Sequence, residues 1–529
     1  MGGLHLAACS VLCACAFIFL SRKLRGSKRD NLPPGPGGNR LSIGPYAYRR
    51  FHEWSKEYGP VFSLKHGSKL IVVIASYQAA IDIMQKHGSE LADRPRSVAA
   101  GEIFSGDMRT LLVGAGERLK KLRRALHSQL QSTTAQQYGS LQYRNAKNYV
   151  RNMLSDPEHH LDHGRTYAAS VILELTYSKT TPTKYADKEV QDVMKNVNRM
   201  FAALKIGAYI VDTFPFLKYI PLGGVSELRR FHKEELGLFK SQLNSAREKL
   251  SQSIAQPSFA TYLLENQGQY DLSNDELAYL AGSMFGAGSD TVGFLELFLA
   301  LGLFIMVYIQ TASGLGIITM AAATHPEELK KVQSQIDAVV GRDRLPNYDD
   351  EPLLSRVTAF VLEAHRWRPI APQGFAHRAM KDVIWVRRVS CLPLIFMTYM
   401  RRQKDVVIPK GAIVYGNHWS IMHDPEVFPE PDSFRPDHWL NEEGEVRDDL
   451  KHFDFGFGRR VCPGQYVAER SLFINTALIF WAFNIHEDPN SPIDTTAFTD
   501  ASVVHPLPFA VKIVPRIKNL RELLDADTD

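Results

Sequence analysis

The chain has 529 residues, with 62 Lys+Arg against 57 Asp+Glu and 45% hydrophobic residues. That composition excludes disordered and collagen-like chains and allows a large buried core. Five cysteines in a chain of this length exclude a disulfide framework.

The cysteines divide by position. Cys9, Cys13 and Cys15 lie in the first apolar run, Cys391 lies in a segment that breaks the local pattern, and Cys462 stands alone. The net charge of +5 is equally local, because Arg22, Lys23, Arg25, Lys28 and Arg29 follow the first apolar run directly. Such a cluster flanks a membrane segment; it is not a nucleic-acid-binding face, and no nucleic-acid partner is expected.

In chain order, Leu4 to Leu20 is nearly pure apolar sequence, about 25 Å long as a helix and enough for a thin bilayer. Ala14-Cys15-Ala16 would suit cleavage of a signal peptide, but the basic residues follow the run instead of preceding it. That order predicts an uncleaved transmembrane anchor at 4–20 with the downstream chain in the cytosol. Residues 21–40 form a basic, Pro/Gly-rich linker, in which Pro33-Pro34-Gly35-Pro36 is a stiff, non-helical spacer.

From 41 to 520 no second linker or repeat appears, so one large domain is expected. Helical periodicity covers Tyr77 to Lys86, Arg118 to Ser132, Asp187 to Leu204, Val225 to Ile254, Asn274 onward, Pro326 to Val340 and Leu353 to Trp367. Strand-like runs cover Val61 to Lys65, Leu70 to Ile74, Val406 to Ile408 and Phe509 to Val514. The predicted fold is mainly α with small β-sheets, one large domain behind an N-terminal transmembrane helix.

The marked feature is the loop Phe455-Gly456-Phe457-Gly458-Arg459-Arg460-Val461-Cys462-Pro463-Gly464, followed by the apolar helical stretch Tyr466 to Phe483. A thiolate that must approach a large flat cofactor needs a loop with little side-chain bulk. Gly458 and Gly464 are expected to supply positive-φ freedom and close backbone approach. Pro463 suits the first turn of a helix, which puts Cys462 at a helix N-terminus whose N–H groups favour a thiolate. Arg460 is a fork-shaped cation suited to a carboxylate such as a haem propionate.

A lone cysteine is more often an inert buried residue; the spacing decides otherwise. Phe455, Gly458, Arg460, Cys462 and Gly464 fit F-x-x-G-x-R-x-C-x-G, and this loop resembles the haem-binding loop of the cytochrome P450 superfamily. The resemblance, of a membrane-anchored eukaryotic and fungal type, runs over essentially the whole chain. It implies haem b (iron protoporphyrin IX) with its iron ligated by Cys462.

The remaining motifs gain meaning from that resemblance. Glu363 and Arg366, three apart on one helix face, look like the family's E-x-x-R, a buried structural charge network; alone they would be a surface ion pair. In Phe434-Arg435-Pro436-Asp437-His438-Trp439, His438 stands where the family has the network's third member, an arginine. A histidine there loses the fork and gains pH sensitivity. Ala287-Gly288-Ser289-Asp290-Thr291 resembles the oxygen-activation motif, with Asp290 and Thr291 delivering protons. Arg123 and His377 stand at positions used for haem propionates, while Leu119 replaces a propionate-binding tryptophan.

Two segments do not fit. Taken as one helix, residues 274–324 would be about 77 Å long, longer than a domain of this size is wide. Deleting Val292 to Gln310 joins Asp290-Thr291 to Thr311-Ala312-Ser313 and restores a second hydroxyl beside Thr291. Deleting Val386 to Gln403 joins two short β segments about Lys404-Asp405. Both segments begin with Val, whose codons start with GT, and end with Gln, one of whose codons is CAG. Those are intron borders, so 292–310 and 386–403 are read as introns translated in frame.

The resemblance then implies a haem-thiolate monooxygenase that inserts one oxygen atom of O₂ into a hydrophobic small molecule, in secondary metabolism or detoxification. Its electrons would come from NADPH-cytochrome P450 reductase, and its place would be the endoplasmic reticulum membrane, single-pass, with the catalytic domain facing the cytosol. Rival expectations are an isomerase or dehydratase of the same family that uses no O₂, and a non-catalytic product of a mis-spliced gene.

Overall fold

A computed structural model of the chain describes residues 31–38, 43–179, 184, 186–205, 207–289, 310–386 and 405–526. The anchor expected at 4–20 lies outside them, and among the described residues no helix is long and apolar enough to cross a membrane. What is described is mainly helical with small sheets.

The longer helices are α1 (Ala47–Tyr58), α2 (Glu117–Leu130), α3 (Gly139–Ser155), α4 (His160–Tyr177), α5 (Lys188–Leu204), α6 (Gly223–Ser251), α7 (Asn274–Ser289), α8 (Gln310–Thr324), α9 (Pro326–Val339), α10 (Ser355–Trp367) and α11 (Gln465–Ala482). Helix α2 shows why such segments form where they do. Leu119, Leu122, Ala125, Leu126 and Leu130 recur on one buried stripe, and polar residues, Arg and Lys foremost, fill the rest of its surface. Helix α11 is different: every residue from Ser471 to Ala482 is buried, so it runs through the core instead of along its rim.

Two expected elements change on folding. Tyr77 to Lys86 is a single α turn, Tyr77–Ala79, continued by wider π turns over Ala80–Gln85. The strand expected at Phe509 to Val514 is Val511–Pro515.

The strands are β1 (Val61–His66), β2 (Lys69–Ile74), β3 (His377–Arg378), β4 (Val383–Trp385), β5 (Val406–Ile408), β6 (Ile413–Gly416), β7 (Phe483–Glu487) and β8 (Val511–Pro515). The largest sheet has the order β1-β2-β6-β3, with β2 and β6 parallel. The expected spacer is not free of the body. Ser63 of β1 donates its N–H to Pro34 O at 2.7 Å and its hydroxyl to Pro33 O at 2.7 Å. Gly35 lies so close to Ser63 O that a side chain there would overlap it.

Two hydrophobic cores bracket the site. One gathers residues of α4, α5, α6 and α7; the other gathers residues of α3, α8, α10 and α11. Helices α7 and α8 both pack along α4, Gly288 against Ile172 and Ala312 against Gly164. A cavity of about 350 Å³ opens between these cores, walled by α7 on one side and by the loop before α11 on another.

Candidate active site

The loop before α11 owes its path to two left-handed glycines, Gly456 (φ 88) and Gly458 (φ 50). A β-carbon on Gly458 would also meet Gly88 Cα and Met84 O at 3.0 Å, so only glycine fits. The expectation for Gly464 is corrected: its φ is −89, an ordinary conformation, and it serves as the N-cap of α11. Pro463 accordingly lies just before the helix. Cys462 donates its N–H to Phe455 O at 2.8 Å, which closes the loop, and Phe455, Cys462 and Gly464 all line the cavity.

The accessible surface of Cys462 is cavity surface, since the thiol is otherwise enclosed by protein. Burial raises its pKa, while a hydrogen bond from the Gly464 backbone and the positive charge of Arg123 act the other way. A thiol held up by burial needs a cationic partner to ionise fully, and a metal ion is the partner that such a loop accommodates.

Cations crowd one edge of the cavity. Arg123 donates to Val461 O at 3.0 Å, and Arg460 donates to Ala92 O and, at 2.7 Å, to Val113 O. Arg94, which sequence reasoning did not assign, donates to Leu111 O at 3.1 Å and to Ala376 O at 2.6 Å. Burial, with the charges of Arg460 and Arg123, pulls Arg94 down to about 9; burial and Arg123 pull Arg460 to about 10. His377 turns Nδ1–H to Leu91 O at 2.7 Å, and burial beside Arg94 lowers it to about 3, so the ring is neutral. Depressed arginines mean positive charge short of anions, and the two propionates of a haem are anions of the right number and kind. The residues present therefore fit the group.

Under the cavity, Glu363 and Arg366 of α10 are both fully buried and pair at 2.8 Å and 2.9 Å. Arg366 also donates to Met422 O, Pro431 O and Ser433 O, so its five N–H groups are engaged. The expected third member, His438, stands at ion-pair distance, and two neighbouring groups bind the carboxylate more closely. His438 Nδ1 stands 3.6 Å from Glu363 Oε1, beyond hydrogen-bond range, whereas the Trp439 indole donates to Oε2 at 3.0 Å and the Arg435 N–H to Oε1 at 2.6 Å. Burial alone would raise the Glu363 pKa; the nearby His438 ring, the bonds and charge of Arg366 and the Arg435 N–H outweigh it and hold it below the usual carboxylate value. Leu119 is buried in the core and carries no polar group.

Sequence reasoning also missed His365, two residues beyond Glu363, whose Nδ1 meets Asp454 at 3.1 Å with both side chains buried. No motif spacing links residues 89 apart; only the approach of α10 to the cysteine loop does. Asp290 and Thr291 lie outside the described residues, as do 292–309 and 387–403 of the two proposed insertions.

Comparison with known proteins gives one family. The family model "Cytochrome P450" matches residues 38–386 and 402–513, passing over 387–401. The chain is 53% identical over 503 residues to Cytochrome P450 monooxygenase 88 of Postia placenta, covering 94% of each chain. It is 47% identical over 532 residues to Cytochrome P450 monooxygenase 113 of the same fungus, covering 99% of this chain and all of the relative. A cytochrome P450 monooxygenase of Armillaria gallica is 30% identical over 529 residues, covering 96% of this chain and 94% of the relative.

Proposed function

The chain belongs to the cytochrome P450 family and is a haem-thiolate monooxygenase; from that premise we propose that it is membrane-bound, draws on NADPH-cytochrome P450 reductase and works in fungal secondary metabolism or detoxification. Bound haem, with its iron on Cys462, supplies the activation of O₂. The protein's own residues do the rest. Arg94, Arg123, Arg460 and His377 would anchor the propionates. Asp290 and Thr291, which follow α7 in the sequence, are the proposed proton donors.

The membrane reading has one structural support. Ile210, Phe214, Phe216, Tyr219, Ile220 and Leu222 are all exposed within one short stretch, which also holds the half-buried Lys218, paired with Glu102. Contiguous exposed apolar side chains beside a basic residue suit a lipid interface. Together with the apolar run at 4–20 they support a single-pass protein at the endoplasmic reticulum membrane with this face against the lipid. Flotation of the full chain with phospholipid vesicles, lost when both Phe214 and Phe216 become Asp, is the expected result; a chain that does not float overturns the reading.

We also propose that 292–310 and 386–403 are absent from the working enzyme. In β4 and β5, Trp385 pairs with Val406. Taking out 386–403 leaves Lys404 and Asp405 between them, the length of a tight hairpin turn. Helices α7 and α8 both pack along α4, which supports one helix that 292–310 interrupts. Removing 19 and 18 of 529 residues leaves 492 and lowers the net charge from +5 to +2, since the segments carry −1 and +4.

The experiment compares the 529- and 492-residue forms by the reduced carbon monoxide spectrum. The red-shifted Soret band of thiolate ligation should be strong in the shorter form, weak in the longer, and abolished in the shorter form by Cys462→Ser. A mature transcript carrying both stretches, or a full band from the longer chain, overturns the splicing proposal. Substrate-dependent consumption of O₂ and NADPH with the reductase separates a monooxygenase from an isomerase.

A further inference from the structure

We propose that the cavity selects hydrocarbon-rich substrates bearing a neutral oxygen function, a ketone, ester carbonyl or hydroxyl, which binds at a polar corner made by Ser283, Thr110 and Arg109. The proposal rests on the monooxygenase reading and specifies the substrate class for that site.

Ser283 lies in the middle of α7 and lines the cavity. Hydroxyls inside helices ordinarily bond back to the carbonyl one turn earlier. This chain follows that habit at Thr319, which donates to Leu315 O at 2.8 Å, at Thr324, to Met320 O at 2.9 Å, and at Thr476, to Leu472 O at 2.7 Å. Ser283 does not: its hydroxyl is buried and has no hydrogen-bond partner among the described residues. The Thr110 hydroxyl, on the loop before α2, is in the same condition and also lines the cavity.

A buried network joins the two segments that carry these groups. One turn before Ser283 on the same face of α7, Tyr279 donates its hydroxyl to Glu235 Oε2 at 2.7 Å. Arg109, next to Thr110, donates to Glu235 Oε1, and its guanidinium stands 6.0 Å from the centre of the Tyr279 ring. Arg109 and Glu235 are both buried. The network therefore ties the Thr110 loop to the part of α7 that carries Ser283.

The charges decide the class of ligand. Arg109 and Glu235 cancel, so a substrate carboxylate at this corner would be a buried anion without a counter-charge, and an ammonium would meet Arg109. A pure hydrocarbon would leave both hydroxyls desolvated and unmatched. A neutral oxygen accepts from Ser283 or Thr110, and the apolar wall, in which Leu126, Ile172 and Val197 take part, covers the rest of the molecule.

The test titrates haem-loaded protein with three chain-matched probes delivered from cyclodextrin: 2-dodecanone, n-dodecane and dodecanoate. Binding is read from the Soret shift and, independently, from the shift in thermal midpoint. The ketone is expected to bind about tenfold more tightly than the alkane, the ratio one net hydrogen bond gives, and more tightly than the carboxylate. Ser283→Ala should bring the ketone-to-alkane ratio towards one, and Ser283→Thr should keep most of it. Equal binding of ketone and alkane, tightest binding by dodecanoate, or an unchanged ratio in Ser283→Ala overturns the proposal. Absence of the thiolate carbon monoxide band would instead overturn the haem reading, and the thermal shifts would still report on the corner.

Discussion

The Trp439 indole donates to Glu363 at 3.0 Å, on the carboxylate that Arg366 grips through two further hydrogen bonds. Removing one member of such a set leaves another buried and unmatched. Glu363→Gln should therefore cost about 3–5 kcal/mol, because Arg366 loses its counter-charge in the core. Trp439→Phe should cost about 1.5–3 kcal/mol through the lost hydrogen bond to a charged group. His438→Leu, which removes only a contact at 3.6 Å, should cost less than either. Urea unfolding of the three variants orders them; a His438 variant as damaging as Glu363→Gln would contradict the ranking.

Gly458 and Gly464 both flank Cys462 and differ in what a methyl group would meet. At Gly458 it would meet backbone atoms at 3.0 Å in a left-handed conformation; at Gly464 its nearest neighbour is the Cys462 sulfur at 3.9 Å. Gly458→Ala should destabilise by about 1–3 kcal/mol and reduce haem content. Gly464→Ala should leave folding within about 1 kcal/mol and act on the Soret band instead, through crowding of the sulfur. Thermal midpoints set beside haem-to-protein ratios separate the two.

Arg94 carries three hydrogen bonds to carbonyls and still has a depressed pKa from burial and from Arg460 and Arg123. Its positive charge is thus available to an anion arriving at that edge. Arg94→Leu should weaken haem retention by about tenfold, the loss of one charge-assisted contact. The measurement is the rate of haem transfer to apomyoglobin, which is independent of turnover. A rate equal to that of the parent protein would remove Arg94 from the haem site.

Acid should destabilise the fold well above the carboxylate range. Burial lowers His160 and His418 to about 4 and His377 and His505 to about 3, from 6.5 in the unfolded chain. Below pH 6.5 the unfolded chain takes up protons that the folded one refuses, so stability falls from there down to the folded values. Each such histidine contributes up to about 1.4 kcal/mol per pH unit in that window. Glu363 adds to this lower down, since its depressed carboxyl stabilises above 4.5 and that stability is lost as the pH falls through its folded value. His160 packs edge-on against Phe509 at 5.1 Å, a contact that phenylalanine can keep. In His160→Phe the drop in unfolding free energy between about pH 7.5 and about pH 5 should shrink by up to about 2 kcal/mol; an unchanged drop would exclude His160 as a source.

What the sequence makes legible here is what repeats at short range. The cysteine loop, the Glu363–Arg366 pair and the stripe of α2 each depend on neighbours within one or two turns, and their spacing is visible in the chain. Helices α3 and α4 were not foreseen, and α4 is buried on many sides, so no clean amphipathic stripe marks it. Arg94, the Trp439–Glu363 bond and the His365–Asp454 pair join segments far apart in sequence, and no local period encodes them. His438 shows the limit from the other side: its position fits the family pattern, yet the neighbouring indole reaches the carboxylate first.

Strand β1 is the outer strand of its sheet, and what lies along it is Pro34. An open strand edge invites another chain to pair with it, and that pairing can continue only if the newcomer offers amide hydrogens. Proline has none to offer. The short proline segment takes the N–H of Ser63 and gives nothing back, so it closes the sheet as a selvage closes cloth, finishing the edge without extending it. A shortened protein that begins after residue 36 would keep every helix named above and lose that border, and its first failing would be association through β1.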